Sequence, residues 1–293
     1  MNNSSIKARA DELIAYCKPQ YIRILFIMAL VGMIPNVFSS RGPSAILFLI
    51  VNIALVPFSH GYIVTTLKIV RNNYLDLSDD DAFVGLKRFK ELFFTYFLYS
   101  LVVTAALFVV AFVLTLFVIM LGASLQDLGS FVLLTVGLSV LVSVISMLVG
   151  LYGFAFPYLL EKYGYTGMDA IKESFRFIKG HVLDLFKLEL SYLGWTILVA
   201  LVEMILAEVL VFLGTTGALI AAIASGAIAI FTYLPQYHVA RAIFFEEIAY
   251  QRYGHDTSYA NQNTVYENEE TVYDDKNVNE VKQIEELGEQ DVQ

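Results

Sequence analysis

The sequence predicts an all-α fold: a polytopic membrane bundle of about six transmembrane helices with cytoplasmic interfacial amphipathic helices. Three observations carry this. The 293 residues are 57% hydrophobic and 16% charged, with a mean hydropathy of +0.64, whereas soluble domains carry about 25% charged residues. No charged residue occurs between Glu91 and Asp127, or between Asp127 and Glu161. Finally, Lys and Arg sort to alternate connections between the apolar runs, as cytoplasmic loops require.

A bilayer core needs about 20 apolar residues per helix. On that measure spans are expected near 21–38, 45–67, 94–121, 129–157, 188–213 and 217–240. Gly32 and Pro35 interrupt the first, and Gly214-Thr-Thr-Gly217 turns the fifth into the sixth. The first span is read as retained, because a small-residue cleavage site is absent. Lys7, Arg9, Lys18 and Arg23 precede span one, and Lys68, Arg71, Lys87, Arg88 and Lys90 lie between two and three. Lys162, Lys172, Arg176, Lys179 and Lys187 lie between four and five, Arg241 and Arg252 follow six, and the opposite side has only Arg41. Both termini are therefore expected in the cytoplasm of a plasma-membrane protein.

The net charge of −9 belongs to one segment, since residues 255–293 hold 11 Asp+Glu and 2 Lys while 1–254 balances 17 acidic against 17 basic residues. The chain thus reads as a transmembrane domain (1–254) and an acidic cytoplasmic tail (255–293) whose composition predicts disorder. The tail is either a solvated extension or a docking peptide for a basic cytoplasmic protein partner.

Two [ST]-x-x-D boxes, Ser78 to Asp81 and Thr166 to Asp169, stand 88 residues apart. In such boxes the hydroxyl caps free backbone amides and the acid suits the positive helix end. Each leads into an expected amphipathic helix, with Phe83, Leu86 and Phe89 on one face of the first and Ile171, Phe175 and Ile178 on one face of the second. A weaker third copy places Ile6, Ala10, Leu13 and Cys17 on a stripe. Three parallel modules follow, about 4–70, 78–163 and 166–250, each an amphipathic helix and a transmembrane hairpin. The interfacial helices are either elbows that steer the chain or lipid-sensing elements.

Chemistry-bearing motifs are missing. There is one cysteine, and no histidine pair with metalloprotease spacing, no GxxxxGK[ST], no GxGxxG and no GxSxG. Catalytic, cofactor and metal residues are accordingly assigned as none, an enzyme is not expected, and neither is a nucleic-acid partner. The candidate intramembrane polar site is Glu203 with His60 or Asn52, because a carboxyl at membrane depth is costly and is a functional hypothesis by default. The competing reading is a hydrogen-bonded Glu203 that fixes helix packing. Ala218, Ala222 and Gly226, with Ala221, Ser225 and Ala229 beside them, are small residues at helix-packing spacing. They serve packing within the chain or a homodimer seam, and the sequence leaves the oligomeric state open.

The segment Met168-Asp-Ala-Ile-Lys-Glu-Ser-Phe-Arg-Phe-Ile-Lys-Gly-His181, with Leu185-Phe-Lys-Leu-Glu-Leu-Ser-Tyr-Leu-Gly-Trp195, is distinctive. So is Pro235-Gln-Tyr-His-Val-Ala-Arg-Ala-Ile-Phe-Phe-Glu-Glu-Ile248. Together they resemble the bacterial integral membrane family called domain of unknown function 975, over roughly residues 4–250. Ala170, Ser174, Gly180, Phe186, Leu190, Ser191, Gly194 and Trp195 match its central pattern, whereas Val149-Gly-Leu-Tyr-Gly153 stands where the family has I-P-G-I. The resemblance implies a multi-span bacterial plasma-membrane protein with no established catalytic residues. The function expected is transport or lipid handling at the cell envelope, with membrane lipids as partners. The alternative is a membrane scaffold that recruits cytoplasmic proteins through the tail.

Overall fold

The computed structural model describes residues 2–37, 45–122 and 128–254. The predicted acidic tail and Arg41 lie outside them. The described residues are helical, with no strand among them. Helix α1 (Asn3–Gly32) is followed by α2 (Ala45–Leu55), α3 (His60–Val70), α4 (Val84–Lys87) and α5 (Phe89–Gly122). Then come α6 (Leu128–Tyr152), α7 (Phe156–Tyr163), α8 (Gly167–Ile178), α9 (Val182–Val209), α10 (Thr215–Thr232) and α11 (Leu234–Tyr253). Six segments are long and apolar enough to cross a membrane: 3–32, 46–70, 89–116, 135–163, 182–209 and 215–232.

Three breaks, which the sequence reading missed, give the bundle its shape. Pro57, Pro157 and Pro235 each stand second in a new segment, the 3-10 turn Val56–Ser59 before α3, then α7, then α11. Proline has no N–H to give the preceding turn, and its ring clashes with the carbonyl four residues back. So the second helix of each hairpin stops, and a new helix continues from the break, short in α3 and α7 and 20 residues long in α11. This is also why the sixth span ends at Thr232 and not near 240.

The first module also differs from expectation. No separate interfacial helix precedes a span at 21–38, because α1 runs unbroken through Pro19. The buried stripe Ile6, Ala10, Leu13, Cys17, Tyr21, Ile24 and Met28 continues across the proline. That continuous apolar face outweighs one lost hydrogen bond. In the second module the predicted amphipathic helix is a 3-10 turn, Asp79–Phe83, and the single turn of α4, with Leu86 exposed. The capping box does form there: the Ser78 N–H donates to Asp81 Oδ2 at 3.1 Å. In the third module α8 is a full helix, but the Thr166 hydroxyl makes no capping bond. Instead the Gly167 N–H donates to Thr95 Oγ1 of α5 at 2.9 Å, which satisfies the helix end from outside. Asp169 does sit in the first turn. The buried face of α8 is Ala170, Ile171, Ser174, Phe177 and Ile178, and Phe175 lies outside it, stacked on Tyr152 at 5.4 Å.

The chain forms two compact units, 1–246 and 247–293. In the first, Tyr21, Leu92, Leu159, Phe177 and Phe245 are fully buried. Phe245 stacks on Phe177 at 4.8 Å and on Tyr158 at 4.9 Å. On α5, α6 and α9 the outer surface is apolar, with Phe108, Val140 and Met204 exposed, as lipid-facing positions are. Of the second unit, the described residues are the end of α11 and Gly254.

One close approach depends on a missing side chain. A Cβ on Gly85 would sit 1.9 Å from the Pro57 carbonyl oxygen, which is backbone and cannot swing aside. Gly85→Ala is expected to destabilise the detergent-solubilised protein by about 1–3 kcal/mol. A thermal melt checks this, and Gly150→Ala, where the new Cβ meets nothing within 4 Å, serves as the control.

Candidate functional site

The three helices that follow the prolines gather the charged residues of the bundle. His60, at the start of α3, is fully buried and contacts Tyr96 Oη and Glu161 Oε2, each at 2.9 Å. Arg88 donates to the same Glu161 oxygen at 2.7 Å and pairs with Glu91 at 2.6 Å. Lys68 donates to the buried Asp81 at 2.8 Å. Glu246 of α11 pairs with Lys162 of α7 and with Arg71 just past α3. Tyr62 and His238 stack at 4.7 Å. Burial and nearby Arg241 push the His238 imidazole down to about 3, so it packs as a neutral ring.

A fourth pair faces a crevice. Glu189 of α9 and Arg241 of α11 approach to 3.3 Å. Tyr237 closes the triangle, since its hydroxyl donates to Glu189 Oε2 at 2.8 Å and accepts from Arg241 Nη1 at 3.2 Å. Burial pushes the Tyr237 hydroxyl up, which keeps its proton in place for Glu189. The guanidinium also lies 5.0 Å from the Phe154 ring centroid. Glu189 is the last charge of α9 before the run Leu190 to Val202, which has none. The triangle therefore sits where the charged end of the helix gives way to its apolar length.

Two adjoining cavities open here, and Met147 of α6 and Glu189 line both. One, of about 390 Å³, is lined further by Tyr192, Thr196, Tyr233 and Tyr237. The other, of about 240 Å³, is bounded by Gly150, Phe154, Leu185 and Arg241. Their outer wall is apolar and open to the outside, with Met147, Leu190 and Leu193 40–47% exposed. A larger groove between α5 and α6 lacks such a floor; its Thr115 and Ser139 hydroxyls donate to carbonyls of their own helices.

The intramembrane residues singled out by sequence are not brought together. His60 is engaged by Tyr96 and Glu161. The Asn52 amide donates to the Phe48 carbonyl of its own helix at 2.8 Å. Glu203 lies on the exposed surface of α9, where it accepts from Ser225 of α10 at 3.1 Å. Of the two small-residue lines on α10, it is Ala221, Ser225 and Ala229 that are buried. The sequence reading missed Glu161, Glu189, Arg241 and Glu246. One signal was available: Glu189 and Tyr192 lie in one of the distinctive stretches, and Tyr237 and Arg241 in the other.

The family model described as protein of unknown function (DUF975) matches residues 1–252. No curated protein and no solved structure matches the chain. With six candidate membrane spans in an all-helical bundle, the chain belongs to the DUF975 family of proteins of unknown function.

Proposed function

We propose that this is a non-catalytic, lipid-handling membrane protein whose site is the crevice between α6 and α9. The observation that carries the reading is the Glu189–Arg241 pair under two cavities whose outer wall is exposed and apolar. An amphiphile needs both surfaces at once, a charged seat for the headgroup and an open apolar side for the chains. A water-soluble ligand would have no use for the open apolar wall. The basic residues around the site favour a cytoplasmic position for this end of the bundle. Transport along Glu203 has less support, because that carboxyl is exposed on the outer surface and paired to Ser225.

Gly150 offers a test, because it lies at the cavity wall and a Cβ added there meets nothing within 4 Å. The full chain, extracted in mild detergent, is expected to retain phospholipid in native mass spectrometry. Gly150→Phe is expected to lose most of that lipid at an unchanged melting temperature. A wild-type protein free of lipid, or a Gly150→Phe variant that retains it in full, overturns the reading.

A further inference from the structure

The two cavities differ in chemistry. The larger is an aromatic enclosure: the ring centroids of Tyr192 and Tyr237 lie 5.3 Å apart at 74°, and Tyr233 lies 6.5 Å from each. Glu189 stands beside them. Steeply angled tyrosines next to a carboxylate form the environment that attracts ammonium groups, through ring quadrupoles and Coulomb attraction together. Tyr192 already holds an ammonium in this way, since Lys7 Nζ lies 4.2 Å from its centroid, which leaves Tyr233 and Tyr237 for a ligand. Tyr192 is 1% exposed and lines the cavity, yet its hydroxyl has no hydrogen-bond partner among the described residues. A buried hydroxyl without a partner is unfavourable and marks a place where a ligand's polar atom would be stabilised. The smaller cavity offers the Arg241 guanidinium, a donor suited to phosphate oxygens.

We propose that the crevice takes a zwitterionic phospholipid headgroup, with its ammonium against Tyr233 and Tyr237 beside Glu189 and its phosphate at Arg241. This rests on the lipid-handling reading and adds the headgroup class. Charge balance favours it over an anionic headgroup. Arg241 already has Glu189 as its partner at 3.3 Å, and Lys7 at Tyr192 has Asp11 as its nearby counter-charge, so a lone phosphate brings an unbalanced negative charge. A zwitterion brings one charge of each sign and leaves the pair neutral. The exposed Met147, Leu190 and Leu193 give the acyl chains their exit, which favours a lipid over a free zwitterion.

Binding is read by isothermal titration calorimetry, which needs no reporter group at the cavity. The full chain in detergent is titrated with short-chain phosphatidylethanolamine, phosphatidylcholine and phosphatidylglycerol, and separately with soluble glycerophosphoethanolamine. The expected result is saturable binding of the two zwitterionic lipids about tenfold tighter than phosphatidylglycerol. Tyr233→Leu should reduce that preference to about threefold or less, while Tyr192→Phe, which removes the unpartnered hydroxyl, should weaken all three lipids alike and preserve the preference. Equal binding of the three lipids, or preference for phosphatidylglycerol, overturns the headgroup assignment and leaves the lipid reading standing. Glycerophosphoethanolamine binding as tightly as the lipids also overturns it, because the site would then take a soluble zwitterion. No saturable signal from any of the lipids overturns both readings.

Discussion

Arg241→Met should destabilise the protein by about 3 kcal/mol, because it leaves the Glu189 carboxylate without a cation. Glu189 and Arg241 side chains are only 20% and 26% exposed, so water offers little relief. Tyr237 would still donate to Glu189 but cannot balance a charge. For a chain of this size the loss corresponds to a fall in melting temperature of about 6–12 °C. The double variant Glu189→Gln with Arg241→Met should recover most of it, since removing both charges of a buried pair is often close to neutral. Melts of the single and double variants in the same detergent decide this. A single variant that melts with the wild type would show that the pair is solvated and does not form the floor of a crevice.

Glu161→Leu should cost a similar amount, about 3 kcal/mol, for a different reason. Glu161 Oε2 is shared by a fully buried imidazole and a guanidinium, at 2.9 Å from His60 and 2.7 Å from Arg88. Among the described residues, its removal leaves the buried His60 with Tyr96 alone and Arg88 with Glu91 alone. Glu161→Gln keeps a hydrogen-bonding group of the same shape and should lose about half as much, because only the Coulomb part is missing. A double-mutant cycle with Arg88→Gln isolates the Glu161–Arg88 coupling, and a value near zero would contradict the shared-carboxylate geometry.

Both pairs show what was legible in the sequence and what was not. The spans were legible because lipid tolerates few charges, so long charge-free runs such as 92–126 mark them directly. Helix ends were less so. Pro57, Pro157 and Pro235 were visible, but proline can open a helix, kink it or, as Pro19 does in α1, lie within it. Tertiary packing decides among these, and here a continuous buried stripe carries α1 past its proline. The partners that charged residues find across hairpins were not legible. His60 and Glu161 are 101 residues apart, and Lys162 and Glu246 are 84 apart. No local spacing rule reaches across separate hairpins. Glu203 illustrates the same limit: its depth in the span could be counted, but the direction it faces depends on α10, whose Ser225 it meets. The Thr166 box shows it on a smaller scale, since the capping hydroxyl comes from Thr95, 72 residues away from Gly167.

The most direct test of a lipid seat between α6 and α9 is photo-crosslinking in native membranes, with a photoreactive phenylalanine at Leu193 on the crevice wall. The same probe at Phe108 of α5, which is 69% exposed and faces outward, serves as the reference. Lipid adducts are then identified by mass spectrometry. The predicted result is that Leu193 adducts are dominated by one headgroup class and are lost in the Gly150→Phe background, while Phe108 adducts follow the bulk lipid composition in both backgrounds. If adducts at Leu193 follow the bulk composition and ignore Gly150→Phe, the crevice is ordinary lipid-facing surface and the proposed site does not exist.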